Sequence, residues 1–107
     1  MKTIAELKKI FQPVFSQSPA DRVILFGSYA RGESNFYSDI DLIIIANTNR
    51  PFVERFKDYS EVLAISPAAV EMLIYTPDEF NRMADEGNPL ITKVLAEGKT
   101  LYERSDY

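Results

Sequence analysis

The chain has 107 residues, of which 46% are hydrophobic, and it carries a formal net charge of −4 at pH 7. It contains neither cysteine nor histidine, which excludes disulfides, thiolate catalysis, cysteine-ligated zinc and a histidine general base. The length predicts a single domain over residues 1–107. The negative balance does not favour direct binding to a nucleic-acid backbone.

The N-terminal segment is predicted to form an amphipathic helix. Thr3 and Glu6 have the spacing of a capping box, and apolar residues follow at helical intervals. This pattern favours a core-facing helix over a partner-binding one. We recognise no secretion signal and no apolar run of membrane-spanning length, so we expect a cytoplasmic protein without membrane contact.

The first strand is predicted over Arg22–Phe26, and a small polar turn follows it directly. Gly27 allows the backbone to turn sharply and a ligand to approach closely. Ser28 is predicted to begin a short helix that runs to about Arg31 and is closed by Gly32. The free N–H groups at such a helix start, together with a hydroxyl, suit a phosphate group.

A pair of aspartates stands where the second apolar run, Ile40–Ile45, begins. Asp39 and Asp41 are two positions apart, so in a strand their carboxylates project from one face, roughly 7 Å apart. Carboxylates that converge in this way repel each other unless a cation lies between them, and oxygen ligands favour Mg²⁺ or Mn²⁺. A phosphate cradle beside a metal site indicates a nucleoside triphosphate.

Two rival motifs fail at positions where they need particular residues. Gly27–Ser34 imitates a Walker A loop, but Glu33 replaces the lysine and would repel phosphate. An EF-hand loop beginning at Asp39 would have Ile43 and Ile44 where a ligand and a glycine are needed. A lone Gly-Ser pair is usually a loop and a lone Asp-x-Asp is usually a solvated strand end, but their combination beside two strand-like runs favours a functional site.

The second half of the chain continues the alternation of helices and strands. A helix is predicted from Pro51 to near Ser66, and its position between two strands indicates a crossover. The third strand is predicted over Val70–Tyr75, with Glu71 as its only charge, a position that also suits an exposed strand edge. The remaining predicted elements are a helix from Thr76 to about Asp85, a helix from Pro89 to Gly98 and a strand over Lys99–Tyr102. The predicted fold is α/β or α+β, with a mixed sheet of about four strands and helices packed mainly on one face.

The motif resembles that of the nucleotidyltransferase superfamily that includes DNA polymerase beta, and most closely its minimal nucleotidyltransferase members. The likeness lies in Gly27-Ser28, the ten-residue gap and Asp39-x-Asp41, and in the flanking Ala30–Gly32 and Ser38–Leu42. It covers essentially the whole chain. The resemblance implies the nucleotidyltransferase fold, ATP as substrate, and one or two Mg²⁺ ions bound by Asp39, Asp41 and Glu71, although the family usually has aspartate at the last position.

The resemblance also implies roles for these residues. Gly27 and Ser28 would hold the phosphates, while the carboxylates would support an in-line displacement at the α-phosphorus, with Glu71 favoured as the base. Arg31 is expected either to reach the triphosphate or to be a solvated helix residue. Ser38 is expected either to orient an aspartate or to cap the turn.

The acceptor follows from the resemblance alone. Minimal members of the family are often paired with a small helical partner of the HEPN class, a ribonuclease toxin, which suggests an antitoxin that transfers AMP to a tyrosine of that toxin. A non-catalytic module that sequesters its partner and an enzyme that modifies a small molecule remain alternatives. Tyr29, Phe36 and Tyr37 are expected to be packing or surface residues, or to stack on a base.

Overall fold

The computed structural model describes residues 2–105. The strands are β1 (Ala20–Phe26), β2 (Ile40–Ala46), β3 (Val70–Tyr75) and β4 (Lys99–Glu103), in the sheet order β3-β2-β1-β4. The helices are α1 (Ile4–Ser16), α2 (Gly27–Ala30), α3 (Ser60–Ile65), α4 (Pro77–Asp85) and α5 (Pro89–Glu97), with a 3-10 helix (Phe52–Tyr59) before α3. The expected mixed four-stranded sheet is confirmed. Within residues 2–105, no helix is long and apolar enough to cross a membrane.

Strand direction brings three chain segments together at one end of the sheet. β1 is antiparallel to β2 and to β4, whereas β2 and β3 are parallel and are joined by the expected crossover. The end of β1 therefore lies beside the starts of β2 and β3. In register terms, Asp41 pairs with Phe26 on one side and with Glu71 on the other. The predicted motif thus lies at a single edge of the sheet.

Helices cover both faces of the sheet, which corrects the expectation that they pack mainly on one. The larger core joins α1 and α3 to one face of the strands, through side chains such as Val23, Leu42 and Ile44. A second core joins α4 and α5 to the opposite face, through Ile24 and Ile43. The physical reason is visible in β2, whose near-continuous apolar run can be buried only if both faces are covered.

The buried side chain of Arg55 connects the crossover between β2 and β3 to the edge strand β3. The segment that the sequence predicted as one helix begins instead as the 3-10 helix, and Arg55 lies on its inner side, 7% exposed. The guanidinium donates to the carbonyl of Ile74 at 3.0 Å and to Glu79 of α4 at 2.6 Å. This contact, with the backbone N–H of Thr76, lowers the pKa of Glu79 to about 2.

We predict that Glu79→Gln destabilises the fold in a pH-dependent way. The pKa of Glu79 is lower in the folded chain than its ordinary value of 4.5, so its contribution is present above pH 4.5 and is lost as the pH falls towards 2. We expect a loss of about 1–2 kcal/mol at pH 7, reduced because the carboxylate is partly exposed. Urea unfolding at pH 7 and pH 3 measures the difference.

The matched control is Glu54→Gln, which breaks an exposed ion pair with Lys57. It should change the free energy of unfolding by a few tenths of a kcal/mol at most. Equal effects of the two substitutions at pH 7 would contradict a special role for the Arg55–Glu79 pair.

Candidate active site

The centre of the site is the close approach of Asp41 to the backbone of Gly27. Gly27 begins α2 directly after β1 and has a φ of +72°, a conformation that side chains oppose. A Cβ at this position would lie 3.2 Å from Cγ of Asp41 and would overlap its Oδ2 atom. Glycine is therefore required at this position for two reasons: the backbone angle, and the space that the Asp41 carboxylate occupies. This agrees with the predicted turn that lets another group come close.

Asp41 and Glu71 meet at this point, and Asp39 lies near enough for its charge to act on Asp41, while the binding of a metal by the three carboxylates stays a prediction. Asp41 is half-buried, whereas Asp39 and Glu71 are exposed. Burial, a hydrogen bond with Glu71 and the negative charges of Glu71 and Asp39 together raise the pKa of Asp41 to about 6, against a lowering effect of Arg31. Asp41 therefore accepts a proton more readily than an ordinary aspartate, and a cation at this point would favour its charged form.

This arrangement fits a divalent cation that is completed by its substrate. The donors are carboxylate oxygens, and a cation that replaced this proton would relieve their mutual repulsion. Among residues 2–105, no three acidic, histidine or cysteine side chains form a ready-made metal site. Mg²⁺ is typically bound by one or two carboxylates together with waters and substrate phosphates, so the donor set suits Mg²⁺ carried by a nucleotide.

The helical turn after β1 has the predicted length but begins one residue earlier, at Gly27, and it is closed in the expected way. Ser28 is half-buried, and its backbone carbonyl accepts from the N–H of Glu33 at 2.9 Å. Gly32 follows the helix with a φ of +72°, as predicted for a C-terminal cap. Tyr29 is only 7% exposed and belongs to the larger core, so it is a packing residue.

Arg31 is held beside the site by two glutamates. Its Nε atom lies 2.7 Å from Glu33, and its Nη1 atom lies 3.7 Å from Glu97 of α5. The pKa of Arg31 is raised, first by the hydrogen bond to Glu33. Arg31 is exposed at the end of the helix, so the interpretation as a solvated residue is compatible with these ion pairs, and contact with a triphosphate stays a prediction.

A cavity beside Gly27 introduces a residue that the sequence analysis missed. It has a volume of about 160 Å³, and Lys93 of α5 lines it together with Arg31 and Glu97. No motif in the sequence marks Lys93 as a site residue, because one lysine on a short amphipathic helix is an ordinary solvated residue. A cavity of about 460 Å³ lies between α1 and β4 but contains none of the motif residues, so volume alone does not locate the site.

Ser38 belongs to the loop between α2 and β2. Its Oγ atom accepts from the backbone N–H of Asn35 at 2.9 Å, and its own N–H donates to the carbonyl of Asn35 at 3.1 Å. The structure thus favours the interpretation in which Ser38 caps a turn. Phe36 and Tyr37 lie inside this turn, and each is 91% exposed.

Comparison with known proteins agrees with this geometry. Residues 6–107 match the family described as Polymerase beta, Nucleotidyltransferase. A protein of Methanocaldococcus jannaschii named as a putative protein adenylyltransferase is 35% identical over an alignment of 95 residues, and the match covers 79% of this chain and 60% of that protein. The chain thus spans about 60% of the length of this curated relative.

Two solved structures share the fold. A crystal structure of a toxin–antitoxin with AMP-PNP has a TM-score of 0.63 at 18% identity, over 97% of this chain and 76% of that one. A putative nucleotidyltransferase from Sulfolobus solfataricus has a TM-score of 0.61 at 20% identity, over 97% and 83%. The fold and the site define a nucleotidyltransferase domain. The chain belongs to the polymerase beta nucleotidyltransferase family, which confirms the resemblance seen in the motif.

We predict that Gly27→Ala is more disruptive than Gly32→Ala. Both glycines have a φ of +72°, but a Cβ at Gly32 meets nothing within 4 Å. Gly32→Ala should therefore cost only the backbone penalty of about 1 kcal/mol, while Gly27→Ala adds the overlap with Asp41, a further ~1–3 kcal/mol. Urea unfolding of both variants compares the costs. Equal costs would mean that Asp41 can move away freely.

We also predict that Asp41 makes the stability of the fold depend on pH, and that a bound metal changes this dependence. Its pKa is about 6 in the folded chain against an ordinary value of 3.8, so the folded state holds the proton more tightly. Its contribution to stability is therefore present below pH 3.8 and is lost as the pH rises through 6. Without metal, Asp41→Asn should be more stable than the parent at pH 7 but not at pH 3.5.

Thermal unfolding with and without Mg²⁺ and a nucleoside triphosphate at these two pH values provides the measurement. The two ligands together should raise the Tm of the parent at pH 7 and leave Asp41→Asn nearly unchanged. An equal response of the two proteins would show that Asp41 is not a metal ligand.

Proposed function

We propose that this chain is a Mg²⁺-dependent nucleotidyltransferase that moves AMP from ATP to a hydroxyl group of a protein. The observation that carries the proposal is the carboxylate of Asp41 packed on Gly27 beside Glu71, in a chain of the polymerase beta nucleotidyltransferase family. The half-buried carboxylate and the glycine that makes room for it are difficult to explain by stability alone, because crowding Asp41 against Glu71 and Asp39 raises its pKa.

Each residue has a role in the proposed reaction. Gly27 and Ser28 bind the phosphates of ATP through the backbone and hydroxyl groups at the start of α2. Asp39 and Asp41, with Glu71, hold the Mg²⁺, which when bound neutralises the charge on the phosphates and the leaving group. Arg31 is close enough to Asp41 to lower its pKa. This position supports a contact of Arg31 with the triphosphate, in addition to those of Gly27 and Ser28.

The bond changes are those of an in-line displacement. The acceptor oxygen forms a bond to the α-phosphorus while the bond between that phosphorus and the bridging oxygen to the β-phosphorus breaks. Pyrophosphate leaves with the bridging oxygen, and the hydroxyl proton passes to Glu71. The negative charge of the neighbouring Asp41 favours the transfer of a proton to this pair of carboxylates.

A protein tyrosine is the proposed acceptor, and a small helical HEPN-type toxin is the proposed partner. The name of the Methanocaldococcus relative refers to transfer of AMP to protein, and the toxin–antitoxin structure that shares the fold was determined with AMP-PNP. These are properties of other proteins, and they support an antitoxin role here, for which we propose the cytoplasm as the place of action. ATP would then be the nucleotide substrate and the partner its acceptor.

We predict that labelled AMP is transferred from α-labelled ATP and Mg²⁺ to a protein acceptor in lysate of the source cells. The double substitution Asp39→Asn/Asp41→Asn should lower the rate by at least about 10³-fold, because several kcal/mol of charge stabilisation are lost. Glu71→Gln should lower it by roughly 10²-fold or more if Glu71 is the base. Gel autoradiography and pyrophosphate release measure the two products.

Asp85→Asn/Glu86→Gln is the matched control, since it removes two exposed acids of the same charge at the end of α4. It should leave the rate unchanged. Pyrophosphate release without labelled protein would favour a small-molecule acceptor. Neither product, with a partner still neutralised by the double-Asn variant, would favour a module that acts by sequestration.

A further inference from the structure

We propose that Phe36 and Tyr37, with the groove behind them, form the surface that docks the acceptor polypeptide, and that this polypeptide is basic around its tyrosine. The inference rests on the proposed transfer to protein, and it identifies where and by what chemistry the acceptor is recognised. The surface, called here the aromatic tip, consists of Phe36 and Tyr37. Tyr37 stands two residues before Asp39, so the backbones of the two residues are at most roughly 7 Å apart. A polypeptide bound to the aromatic tip is thereby held near the carboxylates.

The exposure of the aromatic tip is unusual for rings of this size. Each of the two side chains is 91% exposed, whereas the other exposed large apolar side chains range from 38% to 76%. Leaving two aromatic rings in water forgoes a large part of the stabilisation that their burial would give. Exposed aromatic residues of this kind are typical of binding surfaces, where rigid rings supply much of the contact energy.

The aromatic tip is held in a defined conformation although it lies in a loop. Asn35 Oδ1 accepts from the N–H of Tyr37 at 2.8 Å, and Ser38 closes the turn with two hydrogen bonds to the backbone of Asn35. These contacts fix the backbone on both sides of Phe36 and Tyr37. A surface that is already ordered loses less conformational entropy when a partner binds.

A groove continues from the aromatic tip along the surface of the molecule. Phe36 forms one wall of a cavity of about 300 Å³ whose other lining residues include Tyr29, Pro67 and Ala68. Those three lie at the start of α2 and in the connection to β3, close to the carboxylate end of the sheet. Lys2 and Glu6, an ion pair at 4.0 Å, complete the lining. The groove therefore offers apolar and charged contacts to a polypeptide that is bound at the aromatic tip.

The charge of the site selects for a basic polypeptide. In the part of the chain that the structure describes, no salt bridge involves Asp39, Asp41 or Glu71. Mg²⁺ and ATP together bring further negative charge to this region. Lysine or arginine residues next to the acceptor tyrosine would complement it and speed its arrival.

The geometry of the two rings argues against a nucleobase as the occupant. Phe36 and Tyr37 meet at an interplanar angle of 63°, with centroids 6.2 Å apart. They contact each other edge to face and form no parallel-walled slot in which a flat base could be held between two rings. If a base did stack on these rings, the tip variant, Phe36→Ala/Tyr37→Ala, would lose the Tm shift that MgATP causes.

The experiment uses a random copolymer of lysine and tyrosine, carrying a fluorophore, as the probe. Fluorescence anisotropy measures its binding to the full chain, and labelled ATP with Mg²⁺ measures AMP transfer to it. Phe36→Ala/Tyr37→Ala should raise the Kd for the copolymer at least 10-fold and lower transfer through KM. The stabilisation of the chain by MgATP, read as a Tm shift, should be unchanged.

The matched control is Val53→Ala/Phe56→Ala, which removes exposed apolar side chains of the 3-10 helix. It should bind the copolymer like the parent. A copolymer of glutamate and tyrosine should bind at least 10-fold more weakly than the lysine copolymer. If tip-dependent binding is seen but no AMP is transferred to the copolymer, the docking surface stands, and the lysate experiment alone decides the proposed activity.

Five results would overturn the inference. The first three are equal binding by the parent and the tip variant, equal binding of the acidic and basic copolymers, and no measurable binding of the basic copolymer by the parent. The fourth is loss of the MgATP-induced Tm shift in the tip variant, which would assign the rings to the nucleotide. The fifth is self-association that depends on the tip, measured by sedimentation velocity, which would assign the tip to contact with a second copy of the chain.

Discussion

The structure depends on one crowded contact, in which the carboxylate of Asp41 lies against the backbone of Gly27. The contact exists because β1 ends beside the point where β2 begins, and because a residue without a side chain stands at the turn. A negative charge is thereby held in a half-buried place beside two further acids, at a cost that the surrounding cores must offset. Such local unfavourable arrangements are common at sites that bind charged ligands, which relieve the cost on binding.

The register between the two parallel strands adds the second half of this arrangement. Because Asp41 and Glu71 are direct neighbours across β2 and β3, their relative position is fixed by backbone hydrogen bonds and does not depend on loop conformation. The exposed loop that carries Phe36 and Tyr37 is attached to the same strand start. The proposed chemistry and the proposed recognition of the acceptor would thus share one rigid support.

Much of this site was predictable because its signals are local. The turn at Gly27, the paired aspartates and the start of β3 at Val70 each follow from residues that are close in sequence, and the structure brings them together as expected. The second core was missed because α4 and α5 are only nine residues long and α4 is mostly polar, whereas the signal lay in β2, which is apolar on both faces. Lys93 and the Arg31–Glu97 pair depend on contacts between distant segments, for which one sequence carries no signal.

The burial of β2 on both faces also has a consequence for how the chain folds. Its side chains alternate between the core under α1 and the core under α4 and α5, so neither core can be lost without exposing half of this strand. The two halves of the molecule should therefore unfold together in one cooperative transition. A ligand that binds at the first residues of β2 would then protect backbone amides on both sides of the sheet, far from the place where it binds.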